Sequence, residues 1–154
     1  MNFKELKNAD EEYKLKIKYD DLWFGFEYDA EILGEAPPFY NPLDQTMCHP
    51  EHSSISLTEI NAIEDKIYFP NERHLELGRS LIFQFIEELY PMLVDEVDNI
   101  FSKKGAYGRF KDFLVTKSIG DQWHKYKNYY TALSLIEWAN DQGLEVTELD
   151  RIHL

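Results

Sequence analysis

Several things are scarce in this chain, and each scarcity excludes something. There is one cysteine, Cys48, so no intramolecular disulfide can form and a reducing compartment is the expected setting. No apolar run approaches the roughly 18 residues that a membrane-spanning helix needs, so no span is expected. The stretch from Met1 to Glu12 mixes Lys with Asp and Glu and lacks an apolar centre, unlike a secretory leader. Cytoplasmic localisation follows as the expectation. Repeats, low-complexity tracts and Gly/Ser linkers are missing as well. The 154 residues therefore read as a single domain over 1–154, with 1–14 loosely ordered.

Positive charge is the remaining scarcity, and it is unevenly placed. Residues 1–100 hold 22 acidic and 8 basic side chains, whereas residues 101–154 hold 7 acidic and 8 basic. Within 102–127 the balance reverses, with Lys103, Lys104, Arg109, Lys111, Lys117, Lys125 and Lys127 against Asp112 and Asp121. An overall charge of -13 repels nucleic acid and anionic membranes and attracts basic proteins, besides keeping a small protein soluble.

What is present in quantity is apolar and aromatic surface. The 10 Phe, 10 Tyr and 3 Trp supply large side chains for a core, so a folded monomer or homodimer is expected. Asp20 is placed to cap a helix in which Leu22, Phe26, Ala30 and Leu33 share a face, with Gly34 to end it. The Pro/Asn/Asp-rich segment from Pro37 to Cys48 reads as a hairpin or tight bend. Ser56-Leu57-Thr58-Glu59 has the form of a capping box, with Ile60 and Ile63 behind it. Ile67-Tyr68-Phe69 is a short strand stopped by Pro70.

From Arg73 to Leu89 the stripe Leu77, Leu81, Phe85 and Leu89, widened by Ile82 and Ile86, predicts a helix. Pro91 suits the first turn of the next, with Leu93, Val97, Ile100 and Phe101 inward. Beyond the link at 102–106, Phe110, Phe113 and Leu114 face inward on a further helix. Ser118 starts another turn holding Trp123 and Tyr126, and the last helix runs through Tyr130, Leu133, Ile136 and Trp138 to Gly143. Leu144-Glu145-Val146 fits a strand or an extended tail. The fold class is α+β, mainly helical, with about five to six helices and a small antiparallel hairpin or short sheet.

Chemistry-bearing motifs are few. Cys48, His49 and His52 form the one cluster with metal-ligand character. Zinc needs a fourth ligand, which His74, His124 or His153 would have to bring from a distance, and a surface loop is the simpler reading. Carboxylate pairs such as Glu87-Glu88 follow from composition alone. Gly78-Arg79-Ser80 lacks the second glycine of a nucleophile elbow, and Gly105-Ala106-Tyr107-Gly108 lacks the Lys-Ser/Thr ending of a phosphate loop. No catalytic residue and no cofactor is assigned.

Arg109-Phe110-Lys111-Asp112 carries two open readings. With Phe110 and Phe113 inward, Lys111 points outward and Arg109 lies at the stripe's edge. There it can fork onto a carboxylate such as Asp44 or Asp95 as an internal brace. Alternatively Arg109, Lys111, Lys103 and Lys104 make an anion site near a helix start. Trp23, beside inward Leu22, faces out or sits at a boundary. With Asp20, Asp21, Glu27, Asp29 and Glu31 it makes a partner-interface candidate.

Residues Gly105-Ala106-Tyr107-Gly108-Arg109-Phe110-Lys111-Asp112, followed by Trp123, Trp138 and Gly143-Leu144, resemble an uncharacterised bacterial protein family of unknown function. Its signature is Gly-Ala-Phe-Arg-Arg-Phe-Lys-Asp, then a Trp and a closing helix. The resemblance covers residues 93–144. Upstream it is looser, at Asp21-Leu22 and at Tyr40 to Thr46, which is similar to the family's Tyr-Leu-Asp-x-x-Thr turn. Tyr107 replaces Phe conservatively. Gly108 replaces the first Arg, which removes half of a paired-Arg anion site and favours the brace reading of Arg109. The resemblance implies a bacterial domain and no activity.

The function expected from the sequence is therefore a non-catalytic acidic binding protein that engages a basic protein partner. An immunity protein, an antitoxin or another inhibitor fits that description. The alternatives are an anion- or nucleic-acid-binding module using 102–127, and a small enzyme of unknown reaction.

Overall fold

The computed structural model describes residues 14–28 and 33–152, and of His52 its backbone only. Ala30, Asp29 and Glu31 lie outside the described residues. The mainly helical α+β expectation holds: six α-helices accompany a three-stranded antiparallel sheet and a two-stranded parallel pair among the described residues. No helix among them is long and apolar enough to cross a membrane. Contacts sort the chain into two compact units, one from the residues up to Asn71 with Leu135–Ile152, the other from Glu72–Ser134.

The first unit begins with β1 (Leu15–Lys18), which pairs in parallel with β5 (Leu144–Thr147) in the register Leu15↔Leu144 to Lys18↔Thr147. Ile17, Leu144 and Val146 are buried, so the pair contributes to the core. The ambiguous stretch at 144–146 is thus a strand. Its partner, β1, carries no sequence signal of its own beyond the alternation of Leu15 and Ile17 with lysines. β1 leads directly into α1 (Tyr19–Glu27), where Tyr19, Leu22 and Gly25 are buried. The helix starts two residues earlier than expected. Lys18 holds the N-cap position without a side-chain cap, and Asp20 instead lies in the first turn with Asp21. First-turn carboxylates complement the positive end of a helix, although burial opposes the charge on Asp21.

Three short strands follow in the order β3-β2-β4: β2 (Phe39–Asn41), β3 (Thr46–Cys48) and β4 (Ile67–Tyr68), all antiparallel. Every residue of the central strand β2 is buried. The hairpin turn is closed locally. Asn41 Oδ1 accepts from Leu43 N–H, and Asp44 Oδ1 accepts from Thr46 N–H and Oγ1–H. The hairpin also closes the open edge of β1. Tyr40 O–H donates to the Lys16 carbonyl at 2.8 Å, and Gln45 Oε1 accepts from Lys16 N–H at 3.2 Å. A two-stranded parallel pair is thereby spared an unpaired edge on that side.

Between β3 and β4 lies α2 (Leu57–Ala62), where the capping box holds: Ser56 Oγ accepts from Glu59 N–H at 3.2 Å. At its other end Lys66 Nζ donates to the carbonyls of Ile60 and Ile63, a cation on the negative end of the helix.

The second unit is a helical cluster: α3 (Arg79–Leu89), α4 (Val94–Phe101), α5 (Ala106–Lys117) and the first part of α6 (Gly120–Asp141). The helix expected from Arg73 starts only at Arg79. Residues 72–76 form turns closed by Glu76 N–H to Arg73 C=O and Leu77 N–H to Glu72 C=O, and Glu76 takes a left-handed φ of 54°. Leu77, Leu81, Ile82, Phe85 and Ile86 are buried as the stripe requires, while Leu89 is 49% exposed at the helix end. Trp123 lies between Phe85 (5.3 Å between centroids) and Phe110 (5.6 Å, edge-on), which joins the start of α6 to α3 and α5. Such aromatic pairs add to simple area burial.

Ser118 differs from expectation: it ends α5 rather than starting a helix. Its φ is 57°, its N–H reaches the Val115 carbonyl, and Ile119 N–H reaches the Leu114 carbonyl. This is the left-handed helix stop that usually uses glycine. The two C-terminal helical pieces expected from the sequence are one 22-residue helix, α6. We expect Ser118→Gly to stabilise the protein by about 0.5–1 kcal/mol, because glycine adopts that φ without a Cβ penalty. A thermal melt that falls would contradict it.

Candidate functional site

The guanidinium of Arg109 is engaged with main-chain carbonyls. Nη2 donates to Ile100 C=O at 2.5 Å and to Lys103 C=O at 2.7 Å, and Nη1 donates to Lys104 C=O. These acceptors are at the end of α4 and in the link before α5, where helical carbonyls lack intrahelical donors. Both Nη2 protons are thus committed. The carboxylate partner expected in Asp44 or Asp95 is not among these acceptors. Asp44 serves its own turn, Asp95 is exposed in the first turn of α4, and Lys111 and Asp112 are exposed on α5. Gly105 completes the arrangement with φ 76°, and a Cβ there would come 3.4 Å from Arg109 Nη1.

Two further cations of the basic segment have acidic neighbours. Lys117 Nζ lies 3.1 Å from Glu96, and Lys127 Nζ lies 2.5 Å from Glu72 while sitting 6.0 Å over the Trp123 ring. Lys103, Lys104, Lys111 and Lys125 remain exposed.

On α1 the expected interface residues are only partly outward. Asp20 and Glu27 are exposed, and Asp21 and Trp23 are half-buried. The Trp23 ring packs beside Tyr19 at 6.2 Å and Phe26 at 5.8 Å, so it lies at a boundary. Phe24 is the outward aromatic on this helix, with Tyr28 and His49 as ring neighbours. Burial raises the Asp21 carboxyl above its ordinary value. Lys18 opposes the rise, while Asp20 and Glu148 add to it.

A raised native pKa means that the folded state holds this proton more firmly than the unfolded chain. The associated stability is complete below the ordinary carboxylate value and is lost as pH rises through the native one. We therefore expect Asp21→Asn to melt higher than the parent near neutral pH, by a margin that shrinks toward acid. Parallel thermal melts across that range check it, and a margin that grows on acidification would refute it.

Cys48 sits on β3 opposite Phe39, His49 packs its ring against Tyr28 at 4.6 Å, and His52 ends a 3-10 turn, Pro50–His52. Among the described residues no group of three or more His, Cys, Asp or Glu side chains is gathered to hold a metal ion.

One surface was not singled out from the sequence. Between α3 and α4 the chain turns through a 3-10 segment, Pro91–Leu93, where Met92 is 94% exposed, three residues after the half-exposed Leu89. Glu87, Glu88, Asp95, Glu96 and Asp98 flank it, and no Lys or Arg occurs between Arg79 and Lys103. Tyr126 O–H donates to Glu88 at 2.7 Å and accepts from Gln84 Nε2 at 2.9 Å. Burial and the bond to Glu88 raise the Tyr126 hydroxyl well above its ordinary value, so it stays a donor at any physiological pH. The cation-free interval was the available signal. The exposure of Met92 was not legible, because a methionine at that spacing equally fits a core.

No protein-family model matches the chain, and neither the curated proteins nor the solved structures contain a match to it.

Proposed function

We propose that this chain is a non-catalytic acidic binding protein whose partner is a basic protein, in the manner of an immunity protein, an antitoxin or another inhibitor of a nucleic-acid-acting enzyme. A cytoplasmic setting accords with its lone cysteine, and we place it with the uncharacterised bacterial family that residues 105–112 resemble. The observation that carries the reading is charge segregation: 22 acidic against 8 basic side chains over residues 1–100. A surface of one sign steers an oppositely charged partner and rejects like-charged ones.

The test is affinity purification from the native host at low and at high salt. The expected result is a stoichiometric basic protein that is retained at low salt and lost as ionic strength rises. Recovery of no stoichiometric partner at either salt would overturn the reading. The nucleic-acid alternative rests on exposed Lys103, Lys104, Lys111 and Lys125. Phosphate contacts lose affinity steeply with salt, so low salt gives that alternative its best chance. We expect no mobility shift of labelled DNA or RNA even there.

A further inference from the structure

We propose that the corner between α3 and α4, with Leu89 and Met92 at its centre and Glu87 and Asp95 beside them, is the docking site for a basic amphipathic segment of the partner protein. This inference rests on the basic-partner reading and deepens it by placing the contact and naming its chemistry. Two independent properties converge at this corner, one apolar and one electrostatic.

The apolar property is the exposure of Met92, 94%, next to Leu89 at 49%. A methionine that buries almost nothing adds nothing to the fold's own core. Its flexible, polarisable side chain suits a contact that must adapt to another surface. The backbone beneath is held firmly, which lowers the ordering cost of docking. Tyr90 N–H donates to Ile86 C=O and Leu93 N–H to Tyr90 C=O, each at 2.8 Å, and the Tyr90 ring packs edge-on to Phe85 at 5.6 Å.

The electrostatic property is the end of α3. A helix C-terminus carries partial negative charge, which Lys, Arg or His complements. The last turn of α3 contains no basic residue and instead carries Glu87 and Glu88. The described ion pairs engage Glu96 with Lys117, and neither they nor the described side-chain hydrogen bonds use Glu87 or Asp95. A Lys or Arg from outside is the complement to this end. An apolar residue on the same face of the incoming segment covers Met92 and Leu89. That combination describes an amphipathic basic helix laid across the corner. The α1 surface offers less, because Trp23 already packs beside Tyr19 and Phe26.

The probe is a labelled model peptide of leucine and lysine at helical spacing. A lysine–serine peptide of equal charge is the control, and both are titrated with the full chain by fluorescence anisotropy. The expected result is tighter binding of the leucine–lysine peptide. Leu89→Ser with Met92→Ser should weaken that binding by roughly tenfold or more, as loss of a central anchor does. Both positions are exposed, so the melting temperature should hold. Glu87→Gln with Asp95→Asn should weaken binding of both peptides, whereas Asp20→Asn with Glu27→Gln on α1 should leave it near the parent value.

If the leucine–lysine peptide binds the Leu89/Met92 variant as it binds the parent, the corner is not the site, and the basic-partner reading survives. Equal affinity of the parent for the two peptides overturns the apolar half of the inference. Failure of the parent to bind either peptide overturns the corner and weighs against the basic-partner reading together. A concentration-dependent dimer that Met92→Ser dissociates would assign the corner to a second copy of this chain and overturn the proposal.

Discussion

Arg109→Ala is expected to destabilise the protein by about 1.5–3 kcal/mol, the range for hydrogen bonds that involve a charged group. The guanidinium holds Ile100, Lys103 and Lys104 carbonyls at the point where α4 gives way to α5. Alanine leaves these acceptors to water or to no donor, and it withdraws a cation from the negative end of α4. Part of the link is exposed, so water recovers some of the loss, which favours the lower end of the range. For a chain of this length the melting temperature should fall by about 5–10 °C. Arg109→Lys should recover only a minor part, because an ammonium on a flexible stem lacks the planar fork that reaches several acceptors at once. Thermal melts of the two variants, read beside hydrogen exchange in 100–106, distinguish the cases. An unchanged melt for Arg109→Ala would remove the brace and return Arg109 to the anion-site reading.

Gly25→Ala should be as damaging, against the grain of local preference. Alanine is the better helix former, and Gly25 lies inside α1, so propensity alone predicts a gain approaching about 1 kcal/mol. A Cβ at Gly25, however, would stand 2.3 Å from Phe69 Cγ, 2.4 Å from Cδ2 and 2.7 Å from Cδ1. These atoms form the stem of a rigid ring rather than the tip of a flexible chain. The ring also packs against Trp138 at 6.2 Å, so any retreat disturbs a second aromatic. Overpacking of this kind costs about 1–3 kcal/mol, which exceeds the helix gain. Chemical denaturation of Gly25→Ala measures the net effect. Phe69→Leu, combined in a double-mutant cycle, should relieve part of it. A Gly25→Ala variant more stable than the parent would show that the contact yields easily.

Some elements were legible because they depend only on near neighbours. Ser56 and Glu59 stand three residues apart and made the expected cap. Pro70 follows a strand that ends at Tyr68, and the stripe from Leu77 to Phe85 is buried. The start of α3 was misplaced by six residues. Apolar spacing does not reveal that Glu76 turns left-handed and that Gly78 precedes the first helical residue. The division of α6 into two was an error of the same kind: Ser118 resembles a helix start, yet the chain used it to stop α5.

The candidate site was less legible. Sequence placed Arg109 at the edge of a buried stripe and favoured a bracing role. A long arginine reaches far beyond its own turn, so only the fold could choose carbonyls of Ile100, Lys103 and Lys104 over a carboxylate. Trp23 was expected outward or at a boundary, and the rings of Tyr19 and Phe26 place it at the boundary.

By itself the sequence determined the charge segregation, the mainly helical class and the local caps and turns, since each follows from composition or from side chains a turn apart. Tertiary structure alone decided that Leu15–Lys18 pairs with Leu144–Thr147, that Trp123 lies between Phe85 and Phe110, and that Met92 stays bare beside Leu89. The reason is physical. Strand pairing and burial are properties of which distant surfaces meet, and the free energy of that meeting is shared among residues that no local pattern connects.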